Sequence, residues 1–157
     1  MAGTAINALF HFSFAVDNLE QARKFYGGIL GCPEGREMPG RADFNFFGHH
    51  IVAHLSPAAV IGEDSAKVAR GVTPIHHFGA IVPLDAFQKI EQRLVDAGAD
   101  FLEKPEIRQQ GTAREQMLML CRDGCGNIVE FKGLRQVTDV YAVPERQSRE
   151  PAQPILG

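Results

Sequence analysis

From Phe10 to Val16 the chain alternates, with Phe10, Phe12, Phe14 and Val16 on one side of an extended segment and His11, Ser13 and Ala15 on the other. The period then lengthens, and Leu19, Ala22, Phe25, Tyr26 and Ile29 recur at the spacing of one helical face. The same order returns further on. Phe78, Ala80 and Val82 alternate with His77, Gly79 and Ile81, and then Leu84, Phe87, Ile90 and Leu94 take up helical spacing. Residues 10–30 and 76–96 align without a gap, so the pattern predicts a strand feeding an amphipathic helix, given twice. Asp17 or Asn18 is placed to cap the first helix, with Glu20 or Gln21 in the reciprocal position; Pro83 suits the first turn of the second. Gly31 and Gly98 end the two helices.

Behind each helix come shorter alternating runs bounded by turn residues. Residues 41–47 and 50–55 in the first half, and 101–108, 115–122 and 127–132 in the second, read as strands. Gly48-His49 and the run from Asp123 to Asn127 supply the turns between the last two strands of each half. The expected fold is α+β, one domain of two βαβββ modules at about 7–56 and about 75–134. A connector rich in Ala, Pro and Gly at 57–74 joins them, and an extended tail follows at 135–157.

Alternation also assigns faces. The apolar side of each opening strand suits the helix, so His11 and His77 point the other way, and His76 does not. In the closing strands Ala53 and Leu55 match Val129 and Phe131 as packing residues, which sets His54 and Glu130 on the same side as the two histidines. Small Ser13 and Gly79 leave volume beside them. Four polar side chains at matched positions need a partner, because desolvating imidazoles and a carboxylate alone costs several kcal/mol. A divalent cation supplies one. His11, His77 and Glu130 make a two-histidine, one-carboxylate donor set suited to Fe(II), with Mn, Zn, Ni and Co as alternatives. An isolated strand histidine is more often an ordinary hydrogen-bonded residue, and His49, His50 and His76 keep that reading. Glu130 taken alone reads as a solvent-facing carboxylate, and the stretch from Arg108 to Gln116 reads as a solvated loop from which Arg114 or Gln116 could reach a substrate.

Composition narrows the function classes. With 157 residues, 45% of them hydrophobic and 22% charged, the chain is long enough for a real core and falls near globular averages. A formal charge of -3 and a pI of about 6.1 offer no basic stripe for nucleic acid or anionic lipid. The N-terminus lacks a basic export-type region, and no apolar run approaches the roughly 20 residues of a membrane span, so a cytoplasmic protein is expected. Cys32, Cys121 and Cys125 then read as reduced thiols, and the spacing of Cys121 and Cys125 matches zinc sites poorly.

The segment FHFSFAVDNLEQARKFYGGILG resembles the opening signature of the vicinal oxygen chelate superfamily, which contains glyoxalase I, bleomycin-resistance proteins and extradiol dioxygenases; GCGNIVEFKG resembles its closing one. The likeness covers about residues 7–134, and FFGHHIVAHLSP and IHHFGAIV, with FYGGILGCPEGR, bring the chain nearest to small predicted extradiol-type dioxygenases. The resemblance implies a U-shaped mixed sheet cupped around a metal, helices outside, ligands at His11, His77 and Glu130, and a homodimer. At His54 glyoxalase-like relatives are expected to carry a metal-binding Glu, whereas extradiol enzymes have an acid/base histidine shortly before a His-His pair. The implied activity is Fe(II)-dependent cleavage of a catechol-like small molecule by O2, with His54 moving the proton. Alternatives from the same resemblance are a redox-neutral isomerase or lyase of glyoxalase type using Zn, Ni or Co, and a metal-free drug-binding protein.

Overall fold

The structure is a computed structural model that describes residues 7–64 and 73–142. Asn18 starts the first helix, its Oδ1 accepting from the Gln21 N–H at 3.0 Å, a cap worth about 1 kcal/mol. Helix α1 (Leu19–Ala22) continues as a π-helical segment, Arg23–Ile29, in which the Leu30 N–H reaches back to the Phe25 carbonyl. The adjacent Gly27 and Gly28 carry no side chain to hold the tighter α-helical turn. Helix α2 (Leu84–Asp96) is regular, with Phe87, Ile90 and Leu94 buried. Gly31 and Gly98 follow the two helices in the left-handed region, at φ 73° and 65°, where a glycine avoids the side-chain clash.

Each helix lies against one face of a four-stranded mixed sheet. Module one comprises β1 (His11–Val16), β2 (Glu34–Met38), β3 (Arg41–Phe46) and β4 (His49–Leu55), in the order β1-β4-β3-β2. Module two comprises β5 (Phe78–Pro83), β6 (Phe101–Arg108), β7 (Gln116–Arg122) and β8 (Ile128–Leu134), in the order β5-β8-β7-β6. Strands β1 and β4 are parallel, as are β5 and β8, and the other pairs are antiparallel. The doubled βαβββ plan of the sequence is therefore present. Strand β2 has no counterpart in the sequence reading of the first half. All five of its residues are exposed, so an edge strand polar on both faces shows no alternation.

The helix-covered faces of both sheets meet in one core. The Phe78 ring lies 5.0 Å from that of Phe12 and 4.9 Å from that of Phe14, and Phe131 lies 5.8 Å from Phe47. Tyr26, fully buried among these rings, donates its hydroxyl to Asp123 Oδ2 at 2.8 Å. Burial first, and then the charge of Asp123, raise that phenol well above its ordinary range. Asp123 also accepts from the backbone N–H groups of Cys125 and Asn127, and the Asn127 amide donates to the Ala15 carbonyl at 3.0 Å. This turn of module two is thus tied to the end of β1.

Closing-strand register departs from the sequence reading. Ser13 pairs with Val52 and Gly79 with Glu130. With Ser13 and Gly79 equivalent in the repeat, Val52 matches Glu130 and His54 matches Lys132, two residues away from the expected pairing of His54 with Glu130. A shift of two preserves the face of every side chain, so alternation cannot detect it.

Short 3₁₀ turns occupy Pro57–Ala59 and Gly62–Asp64 of the connector. Beyond β8, Val137–Tyr141 coils into a 3₁₀ helix where extended chain was expected; residues 65–72 of the connector and 143–157 of the tail lie outside the described residues. The three cysteines are unpaired, and all three are buried. Burial pushes the Cys32 thiol up to about 11 and the Cys121 thiol up to about 12, which removes thiolate character near neutrality. No helix among the described residues is long and apolar enough to cross a membrane.

Candidate metal centre

The donors named from sequence all lie on the sheet faces turned away from the helices, and they fall into two groups. In module two, His77 Nε2 stands 3.1 Å from Glu130 Oε2. Gly79 makes this pairing possible: a Cβ at that position would come within 1.6 Å of the Glu130 carbonyl oxygen, so β5 and β8 approach where a side chain would part them. The glycine serves backbone contact, not the open volume expected of it. Glu130 is 15% exposed, which removes its reading as a solvent-facing carboxylate, and Lys132 Nζ lies 3.9 Å from Oε2.

The other ring nitrogen of His77 identifies the tautomer. Nδ1 lies 2.6 Å from the Pro74 carbonyl oxygen, which can only accept, so Nδ1 carries the proton. With Nδ1 donating to Pro74, Nε2 is the nitrogen that faces Glu130, and imidazole with carboxylate is a donor pair that fits a divalent metal ion.

In module one, His11 Nδ1 lies 2.8 Å from His50 Nδ1, and His50 Nε2 lies 3.2 Å from Asp43 Oδ2. Strand pairing makes this line: His11 is opposite His50 on β4, and Asp43 is opposite Val52 one pleat along. His50 and Asp43 were missed in the sequence. By sequence His50 reads as an ordinary histidine, and the available signal is that it shares the face of His54 by alternation. His49 has an ordinary role, accepting from the Phe10 N–H at 3.2 Å. Arg114 is on an exposed turn, and Gln116 is the half-buried first residue of β7.

Within one chain the two groups remain separate. No set of three His, Cys, Asp or Glu side chains among the described residues is placed to hold a metal, so His11 does not join His77 and Glu130. A cavity of about 570 Å³ does bring His54, Ser13 and Ala15 of module one to the same wall system as His76, His77 and Ile128 of module two. That volume suits a small organic ligand.

The family model described as the Glyoxalase/Bleomycin resistance protein/Dioxygenase superfamily matches residues 8–131. Among solved structures, a glyoxalase/bleomycin resistance protein/dioxygenase from Alicyclobacillus acidocaldarius is 27% identical, with a TM-score of 0.68 over 86% of this chain and 97% of that one. The fosfomycin resistance protein FosX from Listeria monocytogenes is 14% identical, with a TM-score of 0.63 over 86% and 98% of the two chains. Lactoylglutathione lyase from Agrobacterium tumefaciens is 13% identical, with a TM-score of 0.58 over 89% and 100%. The last two are likenesses of fold. No curated protein matches the chain.

Proposed function

The chain belongs to the Glyoxalase/Bleomycin resistance protein/Dioxygenase superfamily, and from that premise we propose that it is a homodimeric, metal-dependent dioxygenase of extradiol type acting on a small catechol-like substrate. The observation that carries this reading is the donor inventory set by strand register. Module two supplies His77 and Glu130, while Val52 occupies the matching position of module one, so the family of equivalent positions yields two imidazoles and a single carboxylate. That is the donor set of non-haem Fe(II) oxygenases, in which coordination positions are left for substrate and oxygen. A divalent ion, Fe(II) by preference, would supply the charge that favours a deprotonated vicinal diol and the redox capacity for O2 chemistry.

The residues of the chain would do the rest. The Pro74 carbonyl orients the His77 ring, and the carboxylate of Glu130 completes the pair. His11 is provided by a second copy, since among the described residues of one chain it does not join His77 and Glu130. His54, on the cavity wall, takes or returns the substrate proton. The same cavity excludes bulk water from one side of the ligand.

The test is anaerobic purification, metal analysis, reconstitution with Fe(II), and measurement of oxygen uptake with a panel of catechols. Consumption is expected, and His77→Ala should abolish it together with stoichiometric iron. Tight Zn or Ni binding without oxygen uptake would instead select proton-transfer chemistry of glyoxalase type. Absence of any stoichiometric metal would leave a ligand-binding protein.

A further inference from the structure

The open face of module one carries a line of three polar side chains that ends at His11. Asp43, 3% exposed on β3, directs Oδ2 at His50 Nε2, and the second nitrogen of His50 meets His11 Nδ1. The two rings are within 19° of parallel. Their centroids are 4.9 Å apart while the facing nitrogens are 2.8 Å apart, a difference of about one ring width, so the rings meet edge to edge through their nitrogens.

We propose that Asp43 and His50 are positioning residues that lock His11 in its Nδ1–H tautomer and so present Nε2 as the metal donor; this rests on the reading of His11 as a ligand. A carboxylate accepts and does not donate, so His50 Nε2–H is the donor to Asp43. Paired with Asp43 through Nε2–H, His50 turns its other nitrogen, Nδ1, to His11, and a proton on His11 Nδ1 fills the 2.8 Å contact. The lone pair of His11 is left on Nε2. Asp43 has two guanidinium charges beside it, Arg41 Nε 3.5 Å from its Oδ1 and Arg36 Nη2 3.9 Å from Oδ2, although Oδ1 and Arg41 Nε make no hydrogen bond.

The comparison with module two strengthens the assignment. His77 Nδ1 is held by the Pro74 carbonyl, which also frees Nε2. Both imidazoles are thereby set in the same tautomer, one by a backbone oxygen and the other through a side-chain relay that ends in a buried carboxylate. Such outer partners orient a ligand and typically change metal affinity 10–100-fold when removed.

Two readouts decide this on the full chain. In the metal-free protein labelled with 15N-histidine, two-bond nitrogen–proton spectra should show His11 protonated at Nδ1 and bare at Nε2. His50→Phe, at a half-exposed ring where folding is tolerant, should remove that preference, and so should Asp43→Leu. Asp43→Asn, which keeps an acceptor oxygen, should largely retain it. In equilibrium dialysis with Mn(II), His50→Phe and Asp43→Leu should weaken binding about 10–100-fold at unchanged stoichiometry, whereas His11→Ala lowers the stoichiometry. A proton on His11 Nε2 in the parent protein overturns the proposal. So does Mn(II) affinity within about twofold of the parent in both disrupting variants, or loss of stoichiometry in His50→Phe equal to that in His11→Ala. If the parent protein takes up no divalent ion, the metal reading fails by itself, and the nitrogen spectra still decide whether the relay sets the His11 tautomer.

Discussion

At matched positions of the two modules, Ser13 faces Val52 and Gly79 faces Glu130. Module two brings its strands together over a glycine and places a carboxylate where they meet, against His77. Module one keeps a side chain on β1, leaves the matching site apolar, and lines up His11, His50 and Asp43 instead. The backbone plan is shared and the chemistry is not. A repeat therefore locates positions from which side chains can converge, while each module separately decides which position bears a donor.

The largest break in this comparison should come at Gly79. Its added Cβ would lie 1.6 Å from the carbonyl oxygen and 2.5 Å from the carbonyl carbon of Glu130, which are backbone atoms that no rotamer change can move. Gly79→Ala should cost several kcal/mol in urea unfolding, and Ser13→Ala at the matched site less than about 1 kcal/mol. Equal costs would show that the close approach in module two is not required.

Exchange of subunits sharpens the comparison next. If each centre takes His11 from one copy and His77 with Glu130 from the other, homodimers of His11→Ala and of Glu130→Ala should each lose the complete donor set. Mixed dimers of the two variants should recover about one intact centre per dimer, read as bound metal after co-refolding. Mixtures no better than the separate variants would place all three donors within one chain.

The smallest effect concerns alkaline stability, where the modules differ through their buried thiols. Burial raises Cys121 from 9.0 to about 12 and Cys32 from 9.0 to about 11, and desolvation with the Asp123 charge raises Cys125 further still. A folded-state pKa above the unfolded one means the unfolded chain releases its proton first. The stabilisation is complete below about pH 9 and declines as pH rises toward the folded value. The slope is about 1.4 kcal/mol per pH unit for each thiol. Between pH 9 and 10.5 the urea midpoint should fall, less steeply in Cys121→Ala by one thiol's share. Cys32→Ala should flatten the same interval and have no effect beyond about pH 11. An unchanged slope in both variants would assign the alkaline loss to other groups.

Much of this architecture was legible in the chain. The doubled strand–helix plan followed from its spacing, and Asn18, Gly31 and Gly98 bounded the helices where their chemistry suggested. Strand β2 was illegible because neither of its faces is buried. His50 was passed over because one imidazole on an open face carries no mark of its partner, and Asp43 lies on a neighbouring strand seven residues away in sequence.

The sequence by itself determined the repeat and the alternation of faces along each strand. Each depends on local spacing, and a single strand or helix is enough to express it. Tertiary structure decided that Val52, and not His54, matches Glu130, that His50 and Asp43 stand in line behind His11, and that His11 is held apart from His77 and Glu130 within one chain. A strand's side-chain period is two, so its sequence is the same for every register that differs by two residues. Only the hydrogen-bonded pairing of β4 with β1 and of β8 with β5, closed over the Phe12, Phe14, Phe78 and Phe131 core, selects one register and with it the neighbours of each donor.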